Sequence, residues 1–154
     1  MAFPRAFNHR PNMPVIRHGE AGDLKQVAAI QACCPEAADW DVAEYLKHDF
    51  LVAVEESGPA AIIAGLLVSR IVAPDEREIL NLAVLPEFRR KHVARALLEN
   101  LLKGFRGAVY LEVRVSNSVA VKFYNSLQFK QISRRKNYYA APLEAAIVMK
   151  FHSC

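Results

Sequence analysis

Residues 80–103 read LNLAVLPEFRRKHVARALLENLLK, and the pattern changes its period partway along. Glu78 to Leu85 is β-rich and is stopped by Pro86. Beyond it Val93, Ala96, Leu97 and Leu101 fall at helical spacing on one face, with Arg90, Lys91, Arg95, Glu99 and Lys103 elsewhere. Gly104 and Gly107 close that helix. Val109, Leu111, Val113 and Val115 then alternate with Tyr110, Glu112 and Arg114, a period of two. A strand at 78–85, a helix at 89–103 and a strand at 109–115 form one βαβ unit, so the two strands are expected to be parallel.

Working outward, Val15 to Arg17 is short and extended. Leu24, Val27, Ala28 and Ile30 follow at helical spacing, with Asp23 as their N-cap. After Cys34-Pro35 a second helix is expected over Ala37 to Lys47. Strands at Phe50 to Glu55 and Ala61 to Val72 flank the Ser57-Gly58-Pro59 turn. Downstream come a helix from Ser118 to Leu127 and strands near Lys130 to Tyr138 and Ala146 to Phe151. The order β-α-α-β-β-β-α-β-α-β-β predicts an α/β (α+β) domain, a mixed, mostly antiparallel central sheet with helices on both faces. Residues 1–13 read as a flexible leader with Met13 as the natural start, and 14–154 as a single domain.

Composition narrows the class. The 154 residues are 53% hydrophobic and 23% charged, an ordinary globular balance. Twenty Lys+Arg against 16 Asp+Glu give +4, which favours anionic ligands without singling out nucleic acid, since neither a stacking platform nor a recognition helix is apparent. Three cysteines, two of them adjacent (Cys33, Cys34), make no disulfide framework or zinc spacing. The pair reads as packing, and His9, His18, His48 and His152 read as surface residues, so no metal site is expected. The apolar run Ala60 to Val68 is too short to span a bilayer. A cytoplasmic location without membrane association is the expectation, and the oligomeric state stays open.

The chemistry concentrates in the turn Pro86 to Ala94, where Arg89, Arg90 and Lys91 stand at the opening of a helix. Unpaired N–H groups at a helix start bind phosphate, and cations there oppose the helix dipole unless an anion is present. Leu82-Ala83-Val84 through Arg89 to Leu98 resembles the acetyl-CoA motif of GNAT-type N-acetyltransferases, Arg/Gln-x-x-Gly-x-Gly/Ala. The likeness continues in Leu111 to Asn117, Phe123 to Phe129 and Arg134 to Tyr139, segments similar to those of the ribosomal-protein-alanine acetyltransferases of the RimI type. His92 stands where the motif has its first glycine, and Gln128 where a Leu-Gly-Phe segment has another. The loop Ala140 to Ala145 carries one acidic residue, Glu144, where the family has several.

The resemblance implies a GNAT fold whose βαβ unit holds acetyl-CoA as cosubstrate. Leu82, Ala83 and Val84 would meet the pantetheine arm, and Arg90, Lys91, His92, Val93, Ala94 and Arg95 would form the pyrophosphate loop. Asn117 would touch the coenzyme, with Glu112 as general base and Tyr124 as general acid. The acceptor it implies is the N-terminal alanine of a ribosomal protein, acetylated by direct transfer in a ternary complex. These roles also suit the chemistry. An α-amine, with a pKa of about 7.7–8.0, must lose a proton to attack a thioester, and the departing thiolate needs one. Glu112 interrupts an apolar run, which suggests a buried carboxylate. Two alternatives stay open: a small-molecule amine acetyltransferase, and a non-catalytic acyl-CoA-binding regulator.

Overall fold

The structure, a computed structural model, describes residues 13–35, 40–140 and 143–153. Strand β1 (Val15–His18) leads through a 3-10 turn (Ala21–Asp23) into α1 (Leu24–Ala32), and a second 3-10 segment (Val42–Lys47) precedes β2 (Asp49–Glu55). Then come β3 (Ile62–Ala73), β4 (Glu76–Val84), a 3-10 turn (Pro86–Phe88), α2 (Val93–Leu102), β5 (Gly107–Arg114), α3 (Ser118–Ser126), β6 (Lys130–Ala140) and β7 (Leu143–Ser153). All seven strands join one sheet in the order β1-β2-β3-β4-β5-β7-β6, antiparallel except for the β4–β5 pair.

Two differences from the sequence reading have physical causes. The segment expected to be a helix over 37–47 is described only from residue 40, and Val42–Lys47 is a 3-10 helix whose Asp41 side chain accepts from the Ala43 N–H at 3.1 Å. The helix expected from residue 89 begins at Val93, because His92 is left-handed at φ 63° and cannot propagate an α-helix. Residues 1–12 of the expected leader lie outside the described residues.

Each face of the sheet carries its own core. Helices α2 and α3 cover one face, where Leu97, Leu98 and Tyr124 meet Leu111, Val113 and Met149. Helix α1 covers the other, where Val27 and Ile30 meet Val52, Leu66 and Val68. Between β4 and β5 the pairing is brief: Glu76, Arg77 and Glu78 oppose Ala108, Val109 and Tyr110, and then the strands part. The register shows why. Val68 faces Asn81 while Ser69 faces Ile79, so Leu80 is an extra residue in β4. A bulge of this kind bends its strand and increases its twist. At the closed end Gly107 has φ 135°, and a Cβ there would overlap the Asp75 carbonyl that accepts the Ala108 N–H at 2.8 Å.

Asp23 precedes α1, but its side chain does not cap that helix as expected and turns back instead to Arg17 and Glu20. Its carboxylate takes both guanidinium nitrogens of Arg17 at 2.7 and 2.9 Å and the Glu20 N–H at 2.8 Å. The Arg17 hydrogen bonds, above all, hold this nearly buried carboxyl below the usual carboxylate range. A depressed folded-state pKa contributes stability above the unfolded value of about 3.9 that is lost as pH falls through the folded value. Asp23→Asn should therefore lower stability at pH 7 by about 1–2 kcal/mol. Urea unfolding at pH 7 and pH 3 should show that difference shrinking on acidification.

Candidate active site

The parting of β4 and β5 opens a cavity of about 630 Å³. Its walls are β4 from Glu78 to Val84, β5 from Leu111 to Arg114, and α3 through Ala120, Phe123 and Tyr124. Alternation along β5 sends Leu111 and Val113 into the α2–α3 core and Glu112 to the opposite face. Tyr124 reaches the same cavity from α3. A carboxylate and a phenol thus enter one opening from opposite sides of the sheet. Burial, and secondarily Tyr139, push the Tyr124 hydroxyl well above its ordinary pKa, so it is a neutral donor across the working pH range.

Glu112 lies in a polar setting rather than the apolar one its strand suggested. Arg135 Nε approaches its Oε1 at 3.3 Å, and the Tyr138 hydroxyl donates to it. That hydrogen bond is the main reason the Tyr138 pKa is pushed up to about 12. Next along β5, the Arg114 guanidinium lies 4.1 Å from the centre of the Tyr139 ring and 3.5 Å from Glu144, whose carboxylate also takes the Ser116 N–H at 2.5 Å. The start of α3 is thereby pinned to β7.

At the end of β4 the backbone itself is available. The Leu85 N–H is spent on the Ala64 carbonyl at 2.8 Å, so strand alternation turns the N–H and C=O of Val84 toward the opening. The Cys34 thiol donates to that Val84 carbonyl at 3.4 Å, and Arg89 approaches the same sulfur at 3.5 Å. In the loop that follows, Arg90 (φ 61°) and His92 (φ 63°) are both left-handed, and no side chain caps α2. Left-handed residues in a turn gather backbone N–H groups into an anion-binding concavity. Non-glycine residues adopt that conformation at about 1–2 kcal/mol each. Gln128 (φ 75°) does the same at the end of α3, where the Phe129 N–H returns to the Tyr124 carbonyl at 3.0 Å.

The model of the Acetyltransferase (GNAT) family matches residues 24–129. The chain belongs to that family. Two curated relatives are bS18-alanine N-acetyltransferases, from Salmonella typhimurium at 41% and Escherichia coli K12 at 39% identity, each over 93 residues. An N-alpha-acetyltransferase from Saccharolobus solfataricus is 39% identical over 77 residues. The bacterial matches cover 56% of this chain and 62% of each relative, so the chain spans less than two thirds of their length. Among solved structures, the E. coli ribosomal-protein-S18-alanine N-acetyltransferase superposes with a TM-score of 0.75 at 28% identity, covering 92% of this chain and 96% of that one. Ard1 from Thermoplasma volcanium reaches 0.79 at 24% identity over 92% and 99%, a likeness of fold.

Within this acetyltransferase fold, Leu82, Ala83, Val84, Ala94, Glu112, Asn117 and Tyr124 line the cavity. The other loop residues do not. Arg90, Lys91 and His92 are exposed beside it, Val93 packs its side chain into the core, and Arg95 pairs with Glu99 at 2.9 Å. Asn117 caps α3 by accepting the Ala120 N–H at 3.2 Å. Cys34, Trp40 and Asn81 are lining residues to which the sequence reading assigns no part, while Arg89 belongs to its anion-binding turn and Tyr138 and Tyr139 to a segment it likens to the family without giving them a role. Asn81 carried a signal, a single amide inside an apolar strand; it donates to the fully buried Tyr45 hydroxyl at 2.8 Å, which in turn donates to Gln31. No group of three or more His, Cys, Asp or Glu among the described residues could hold a metal, and no helix there is long and apolar enough to cross a membrane.

The left-handed loop can be tested through stability alone. His92→Val should cost about 1–2 kcal/mol more than His92→Gly, because a β-branched residue tolerates φ near 60° worst. Thermal unfolding of the two variants without added ligand would check it.

Proposed function

We propose that the chain transfers the acetyl group of acetyl-CoA to the N-terminal α-amine of a protein, with a ribosomal protein beginning in alanine as the acceptor. The observation that carries this reading is the parted β4–β5 pair with Glu112 and Tyr124 entering it from opposite faces. The bS18-alanine acetyltransferases among its relatives support the acceptor class. In this reading Leu82 to Val84 hold the pantetheine arm along the open edge of β4, and the N–H groups of residues 92–95, with Arg90 and Lys91 beside them, take the pyrophosphate.

The neutral amine attacks the thioester carbonyl while Glu112 accepts its proton, directly or through one water. A carbon–nitrogen bond forms, and the Val84 N–H faces the developing oxyanion. The carbon–sulfur bond then breaks, and the Tyr124 hydroxyl donates to the departing thiolate. No covalent enzyme intermediate is needed when both substrates meet in one opening.

Calorimetric titration should show micromolar acetyl-CoA binding, and thiol release should require a peptide with a free N-terminal alanine. The same peptide blocked at its N-terminus should give none. Glu112→Gln and Tyr124→Phe should each lower kcat about 100-fold or more while changing acetyl-CoA affinity less than threefold. Binding without release on any α-amine peptide, or equal losses of affinity and turnover in both variants, would overturn the reading.

A further inference from the structure

Strand β7 lies between β5 and β6, and its register sets four charged side chains on one face. Glu112 stands opposite Val148, and Arg114 opposite Ala146. On the far side Ser133 faces Val148 and Arg135 faces Ala146. Arg114 and Arg135 therefore share a row, separated by the methyl group of a fully buried alanine. Two guanidinium groups in one row repel, and each has found a carboxylate: Arg114 turns to Glu144, and Arg135 crosses the small Ala146 diagonally to Glu112.

Strand β6 is irregular at this point. Arg135 pairs with Ala146 and Tyr139 with Glu144, so four steps along β6 match two along β7. The slack holds Asn137 in a left-handed conformation at φ 55°. Bulges beside active sites re-aim side chains, and this one brings Arg135 and Tyr138 onto the same carboxylate, with the Arg135 guanidinium also 5.6 Å from the centre of the Tyr138 ring. The charged and titratable groups that share this face or cavity with Glu112 include Arg135, Tyr138 and Tyr139 from β6, Arg114 from β5, Glu144 from β7 and, from β4, Glu78, whose carboxylate is held by Arg70 at 2.8 Å.

We infer that Arg135 is a specificity-determining residue that makes the site select α-amines over lysine side chains, by balancing the charge of Glu112 so that an ammonium group gains nothing on arrival. This rests on the acyl-transfer reading above and names the residue that sets its preference between two kinds of amine. An α-amine with a pKa of about 7.7–8.0 is substantially neutral at pH 8, whereas a lysine near 10.4 is almost wholly charged. A bare carboxylate would attract both cations and take up the proton that a lysine ammonium must shed before its nitrogen can attack. With the guanidinium present that attraction is cancelled, and the amine already neutral in solution enters.

Arg135 acts through Glu112, so the test must separate charge balance from folding. Two peptides of one sequence compete for acetyl-CoA at pH 8, one with a free N-terminus and no lysine, the other N-blocked with a single lysine. The wild type should favour the α-amine. In Arg135→Gln that preference should fall about three- to fivefold, the size expected of a partly exposed ion pair, through a lower KM for the lysine peptide. Arg135→Lys should restore it. An unchanged preference in Arg135→Gln, equal loss of kcat on both peptides, or no rescue by lysine would overturn the role of Arg135 while leaving acetyl transfer standing. Wild-type protein inactive on both peptides would overturn the acyl-transfer reading and this inference together.

Discussion

Everything in the site follows from β4 and β5 keeping company for only three residue pairs. A parallel pair in a covered sheet would ordinarily stay hydrogen-bonded along its length, leaving neither gap nor free backbone. Here the extra Leu80 bends β4 away just beyond Glu78, while Gly107 allows the close approach at Asp75 that starts the pair. The two faces of the sheet are packed separately, by α1 on one side and by α2 and α3 on the other. The opening is therefore held by two independent cores and does not depend on its own contents. A cavity reached from both faces suits a reaction that brings two substrates together.

The second constraint is backbone shape without glycine. Arg90, His92, Gln128 and Asn137 all carry positive φ, and the first three border the helices that flank the cavity. Strain of this kind persists when the surroundings over-determine it. At His92 the next residue, Val93, is anchored in the core and its neighbour Ala94 lines the cavity, so the turn has no room to relax. At Gln128 the following Phe129 is nearly fully buried and its N–H is tied back to Tyr124. The chain thus keeps the glycine conformation at both positions with a side chain present, and the loop amides keep their direction.

The architecture was legible because its signals are local and periodic. The change from a β pattern to helical spacing at Pro86, and the clean alternation from Val109 to Val115, place the βαβ unit without any knowledge of the partner strands. Periodicity placed the strand and the helix that carry Glu112 and Tyr124, whereas their roles came only from the resemblance of the segments around them to a known family. The parts that were not legible are those set by register. Arg135 and Glu112 are separated by a whole strand, and their meeting depends on a small alanine at 146 and on slack in β6, neither visible to a pattern of period two. Cys34 and Tyr45 reach the β4 wall from segments far away in sequence, and the start of α2 was misplaced by four residues because left-handed backbone was unexpected at a histidine.

On this geometry the gap between β4 and β5 is where an acyl donor and an amine meet. A crystal structure of the protein with coenzyme A covalently joined to the N-terminus of an alanine peptide tests it most directly. The pantetheine arm should lie between β4 and β5, the pyrophosphate on the backbone of residues 92–95, and the peptide nitrogen on the side of Glu112 and Tyr138. A conjugate bound elsewhere, or one whose coenzyme fills the gap while the peptide leaves from the α2–α3 face, away from Glu112, would contradict it.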